Sequence, residues 1–227
     1  MLGNVEPTQY DLRFTIFGIP VRVHPLFWVL SIMVLRGYEE LDLIFVGVCC
    51  IFLSILVHEL GHALVTKWFG WSPNIVLYYF GGVAQFLPDR GFTPLRSILI
   101  SLAGPFAGFL LWGLTWAGVF AIVLFGVDHH ISPAGNFALN FLIRINLYWT
   151  LFNLLPIYPL DGGQVARALF SWMMPNRGLS ESLKLSILTG FGAGAFLVLN
   201  EYYFAALYCI AFALANFQEL QERSRYG

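Results

Sequence analysis

Apolar residues run along this chain in blocks too long and too continuous for a strand or for the stripe of a surface helix. A membrane-crossing helix needs about 20 mostly apolar residues. Six blocks are read as spans: Pro25–Leu35, Leu43–Lys67, Leu95–Phe125, Asn136–Leu155, Leu183–Leu199 and Tyr202–Phe217. The first is short, and the third is too long for one straight helix. Gly104-Pro105 inside the third predicts a kink, because proline removes a backbone hydrogen bond and clashes with the preceding turn. Two stretches between the blocks read as strands instead. Residues 13–24 carry β-formers about a turn at Gly18, and residues 74–86 hold two β-rich runs about Gly81-Gly82, a hairpin signal. The pattern predicts an all-α polytopic membrane protein of about six transmembrane helices, with short β-hairpins on its cytoplasmic side.

The second block is interrupted by chemistry. From Leu43 to Val65 it is apolar except for Ser54 and the run His58-Glu59-Leu60-Gly61-His62. Imidazoles four residues apart share one helix face and can reach a single Zn²⁺, and a glutamate beside the first can act as base toward a water at the metal. Ionisable side chains are expensive in hydrocarbon, so a cluster of three within a span reads as a functional site.

Composition agrees with the pattern. Hydrophobic residues make up 58% of the 227, charged residues only 11%, and mean hydropathy is +0.72, whereas a soluble domain carries about a quarter charged residues. Net charge is −1; there is no basic patch, and a nucleic-acid partner is excluded. The first dozen residues carry Glu6 and Asp11 and lack the basic start of a cleavable signal peptide, so targeting is expected from the first span. Cys49, Cys50 and Cys209 fall in apolar runs, where free cysteine packs as a small hydrophobe. Of the 12 Lys and Arg, ten fall on one side of the predicted spans, Arg36 on the other, and Arg144 within a span. That asymmetry predicts that both termini are cytoplasmic. His129-His130, beside Asp128, would lie on the outer side as solvated loop residues.

Catalytic zinc takes three protein ligands and keeps a fourth position open. His58 and His62 supply two. Asp161 and Glu201 are the remaining acids in or beside spans. Asp161, in Asn153-Leu-Leu-Pro-Ile-Tyr-Pro-Leu-Asp-Gly-Gly163, lies at the inner end of the fourth span, as the histidines do of the second, whereas Glu201 lies at the outer side. Depth selects Asp161. Pro156 and Pro159 exclude regular helix before it, and non-helical backbone at membrane depth occurs where it lines a polar cavity.

HELGH in a membrane helix, followed by Asn153-x-x-Pro156-x-x-Pro159-Leu160-Asp161-Gly162, resembles the site-2 protease family of intramembrane zinc metalloproteases. Val23-His24-Pro25, the Gly81-Gly82 hairpin and Ser101-Leu-Ala-Gly-Pro105 fit the resemblance, which runs from about residue 24 to 165. It implies one Zn²⁺ per chain held by His58, His62 and Asp161, Glu59 as the catalytic glutamate, and Asn153, with Gly81 and Gly82, beside the substrate backbone. It further implies a membrane-protein substrate cleaved in or near its spanning segment, with release of a cytoplasmic signalling fragment, in the cell membrane of a prokaryote. The length predicts a compact form without PDZ or CBS domains. A single domain over 1–227 is expected: a strand-like segment (1–24), the HExxH helix (43–67), the hairpin (74–87), the Gly-Pro helix (95–125), the Asn/Pro/Asp-Gly helix and loop (136–163), and two last helices (183–217). Two rivals are open on residues alone: a zinc transporter, which has no use for a glutamate base beside the metal, and a catalytically silent scaffold, which usually loses one of the four residues. Gly104-x-x-x-Gly108 and Gly190-x-x-x-Gly194 permit close helix approach and are expected to pack within the chain.

Overall fold

A computed structural model describes residues 6–78, 81–89, 91–127 and 130–226. Asp128, His129, Arg90 and the centre of the second hairpin (Tyr79 and Phe80) lie outside the described residues. The elements, in chain order, are β1 (Leu12–Ile16), β2 (Ile19–Val23), α1 (Pro25–Val34), α2 (Leu41–Trp68), β3 (Asn74–Tyr78), β4 (Gly81–Gln85), α3 (Pro94–Leu124), α4 (Pro133–Asn153), α5 (Asp161–Met173), α6 (Gly178–Leu199) and α7 (Tyr203–Tyr226). The chain divides into two compact units: residues 1–89 with 106–150, and residues 90–105 with 151–227.

The molecule is mostly helical, but all-α is too narrow a class. The two predicted hairpins join into one four-stranded sheet of order β1-β2-β3-β4. β1 pairs antiparallel with β2, β3 antiparallel with β4, and β2 runs parallel to β3 with Val21 opposite Ile75. Parallel neighbours need a crossover, and here α1 and α2 supply it. Side chains of a strand alternate between faces, so Ile19, Val21 and Val23 of β2 turn inward with Ile75 and Leu77 of β3. They meet Phe27 of α1 and Ile51, Ile55 and Ala63 of α2 in one buried core. Gly81 and Gly82 stand at the start of β4 rather than in the turn. β3 is paired on both sides, so among the described residues the open edge on this side of the sheet belongs to β4.

His24 has a plain local role. It continues the β2–β3 pairing, its N–H donating to Leu77 O at 2.9 Å. Its ring Nδ1 then accepts from the Leu26 N–H at 3.2 Å, capping α1, with Pro25 in the first turn.

Among the described residues, four helices are long and apolar enough to cross a membrane: α2, α3, α6 and α7. The expected six are therefore not all present as such. α1 has only 10 residues. α4 has 21, but Asn136, Asn140, Arg144 and Asn146 dilute its apolar character. α3 is assigned as one helix through Pro105.

In the second unit, α6 packs on α7 through the predicted glycine pair. A Cβ at Gly190 would stand 2.8 Å from Ala213 Cβ, and one at Gly194 would stand 2.7 Å from Ile210 Cγ1. α5 was not expected. It is amphipathic and short, and Gly162-Gly163 read as loop, yet both glycines lie in its first turn, where a Cβ would overlap backbone of residues 154–158.

Asp11 ties the N-terminal segment to β2. Its carboxylate accepts from Thr8 N–H at 3.0 Å, Thr8 Oγ1 at 2.7 Å and Arg22 Nη1 at 3.0 Å. Burial pushes its pKa up, but the bonds from Thr8 and Arg22 outweigh burial and lower it from 3.8 to about 2. A depressed carboxylate pKa contributes stability above the unfolded value that is lost as pH falls toward the folded one. Asp11→Asn should therefore cost about 1 kcal/mol at pH 7, allowing for solvent screening. It should also flatten the stability change that thermal melts show between pH 4 and pH 2 in the parent protein.

Candidate metal centre

α2 reaches the centre of the first unit as an unbroken helix, and its interior turn carries the motif. Two histidines at i and i+4 lie one above the other on a helix. Here His58 Nε2 and His62 Nε2 stand 3.2 Å apart, both rings buried. Two nitrogens bound to one tetrahedral zinc at about 2.0–2.1 Å are about 3.3–3.4 Å from each other. The pair thus fits two adjacent corners of a zinc site, with imidazole donors of the type zinc takes. When bound, zinc supplies Lewis acidity toward a carbonyl and an acidified water.

Glu59 leaves that face and turns to the sheet. Its side chain is buried and lies against Gly82 of β4: a Cβ on Gly82 would overlap Glu59 Cγ and stand 2.8 Å from its Oε1. The glycine is required by this approach, which is the physical content of the Gly81-Gly82 signal. Gly81, with φ +102°, meets Trp149 of α4 in the same way, at 2.7 Å from the indole ring. That ring lies 6.5 Å from His58, edge to face. One side of α4 therefore bridges β4 and the first histidine.

α4 also holds the turn above. Asn146 Nδ2 donates to Ser54 Oγ at 3.0 Å, one helical turn before His58, and to Leu142 O at 2.9 Å. From the other direction Gly108 of α3 comes so close to Thr150 that a Cβ would overlap its Oγ1. Trp149, Thr150 and Asn146 were missed in the sequence, whereas Gly108 makes the close helix approach expected of it. The signal was present as polar positions at 146, 150 and 153, an i, i+4, i+7 stripe along one face of α4.

In the second unit, Asn153 is the last residue of α4 and Asp161 the first of α5, and both are buried. The loop between them is held from three helices. Ser186 Oγ of α6 accepts from Tyr158 N–H at 3.1 Å, and Asn216 Nδ2 of α7 donates to Tyr158 O at 2.6 Å. The Arg167 guanidinium of α5 lies 4.6 Å from the Tyr158 ring centroid and pairs with Glu219 at 3.5 Å. Three residues before Asp161, both backbone polar groups of Tyr158, in successive peptide units, are thus fixed by side chains.

Comparison with known proteins places this arrangement among membrane metallopeptidases. The model of peptidase family M50 matches residues 117–199. A zinc metalloprotease of Methanocaldococcus jannaschii is 35% identical over 172 residues, 72% of this chain and 46% of that protein. The stage IV sporulation protein FB of Bacillus subtilis is 29% identical over 160 residues, 69% of this chain and 50% of that protein. The chain spans about half the length of these curated relatives. The solved site-2 protease from Methanocaldococcus jannaschii superposes with a TM-score of 0.60 at 28% identity, covering 93% of this chain and 95% of that one. The chain belongs to the site-2 protease family. It is an integral membrane protein.

Gly82→Ala should displace either the Glu59 side chain or β4. We expect hydrolysis to fall at least tenfold with zinc content unchanged, checked by metal analysis and peptide cleavage on one preparation. Gly108→Ala should overpack α3 against Thr150 and cost about 1–3 kcal/mol, seen as a lowered Tm in detergent.

Proposed function

We propose that this protein is an intramembrane zinc endopeptidase in which His58, His62 and Asp161 hold the metal and Glu59 is the general base. The observation that carries the reading is the pair of buried imidazole nitrogens 3.2 Å apart in an apolar helix, beside a carboxylate seated on a sheet edge. Asp161 supports the ligand set by its chemistry: a carboxylate supplies the third donor that catalytic zinc sites use, and its loop is pinned at Tyr158. Glu59 takes a proton from the attacking water and returns it to the leaving nitrogen. A zinc transporter has no use for that carboxylate, and its close seat on Gly82 favours a base over a silent remnant.

The substrate is a membrane protein cleaved in or near its spanning segment, releasing a cytoplasmic fragment. A scissile amide must leave its helix, and extended backbone in a poorly hydrated site needs new partners, at several kcal/mol per unpaired group. The edge of β4, with Gly81 and Gly82 free of side chains, offers those partners by strand addition, and Asn153 adds a side-chain donor and acceptor. The whole chain acts as one protease domain in a prokaryotic cell membrane, with both termini in the cytoplasm.

Glu59→Gln in the purified protein should abolish cleavage while about one zinc per chain remains; loss of metal with activity would reject Glu59 as base. Asp161→Ala should lose zinc and turnover together, and full retention of both would reject it as ligand. Single prolines along β4 should reduce activity at every second position, because strand N–H groups alternate between edges. An impermeant thiol reagent applied to intact cells should mark cysteines placed at Glu40 and Glu201 but not at Arg225.

A further inference from the structure

The β1–β2 turn is built against local preference. It has two residues, Phe17 (φ +52°) and Gly18 (φ +72°), between the paired Ile16 and Ile19. Both positions lie in the left-handed region, where a two-residue hairpin turn favours Asn-Gly. A bulky aromatic is a poor occupant of the first. Nor does packing explain it, because the Phe17 side chain is 70% exposed.

The turn is fastened to a membrane helix. Lys67 Nζ donates to Phe17 O at 2.7 Å, and a Cβ on Gly18 would stand 3.0 Å from the same nitrogen. Lys67 is the penultimate residue of α2, which has 28 residues and is therefore about 42 Å long. The hydrocarbon core is about 30 Å thick and the bilayer with headgroups about 40–45 Å. A helix of that length ends within the headgroup layer, so the turn bonded to its end lies there too. Trp68, the last residue of α2, is 78% exposed, and aromatic rings beside lysine at a span end form the interfacial belt of membrane proteins. A groove of about 350 Å³ lined by Lys67, Trp71, Ser72 and Asn74 opens beside Gly18. An ammonium has three N–H donors; Phe17 O takes one, leaving the others to meet lipid phosphates there.

We propose that the β1–β2 turn is a membrane anchor, with Phe17 inserted at the lipid headgroup level and the Lys67 ammonium facing anionic headgroups. The occupant of this surface is the bilayer itself. Continuity with α2 supports that choice, since the turn and the span end are joined by a hydrogen bond. The anchor gives the sheet a second attachment to the membrane plane besides the helices, and so fixes the height of β4 and Gly82.

The test places a nitroxide at Phe17→Cys in the full chain, with the three native cysteines replaced, in vesicles of phosphatidylcholine and phosphatidylglycerol. Power saturation should give oxygen accessibility several-fold above that of a water-soluble nickel chelate, at a depth shallower than the same label at Leu53. Nickel accessibility equal to that of a hydrated loop would overturn the proposal. Because a labelled cysteine could disturb the turn, a second variant carries p-benzoylphenylalanine at position 17, which keeps the benzyl group. Ultraviolet light should then yield a lipid adduct, read by mass spectrometry of the intact protein. An adduct to a second protein chain, or no lipid adduct from folded protein, would equally overturn it.

Discussion

Two imidazoles and a carboxylate buried within one turn of an apolar helix set the terms for everything packed around α2. Buried ionisable groups are costly unless each finds a partner. The arrangement resolves this in two directions. The histidines face each other across the width of a metal site, and the glutamate turns sideways toward a glycine in a strand. Each solution recruits a neighbour: β4 comes close because Gly82 has no side chain, and Trp149 fills the space between Gly81 and His58. A sheet in a protein that is otherwise helical is thus explained by the motif's needs.

The sheet can serve that purpose because of its topology. With β2 and β3 parallel, α1 and α2 must return the chain across one face, so the motif helix is wedded to the sheet by connectivity as well as by packing. The inward residues of β2 and β3 supply the apolar floor on which α2 rests. The edge strand is left beside the glutamate, with Gly82 directly against the Glu59 side chain.

Much of this was legible in the sequence. HELGH announced itself by contrast with its apolar surroundings, Gly18 marked the first hairpin by turn chemistry, and Gly81-Gly82 pointed to the second although they lie in β4 and serve close contact. What escaped notice were relationships between distant segments. Nothing local in residues 19–23 or 74–78 says that the hairpins share a parallel ladder. α5 hid behind two glycines that read as a turn but serve close backbone contact. Of the six expected spans, α1 and α4 are not matched by long apolar helices: α1 has only 10 residues, and α4 spends part of its surface on Asn146, Thr150 and Asn153, three of its polar positions, which are buried.

The double fastening of Tyr158 has an implication for which parts of this chain are dispensable. Asn216 lies in the last helix, far along the chain from every residue that carries chemistry, yet it holds the carbonyl of the peptide that leads into Asp161. A chain cut short before α7 would keep all four motif residues and lose the restraint on one of them. Motif searches would score such a fragment as intact, although the loop leading into Asp161 would have lost one of its two fastenings at Tyr158.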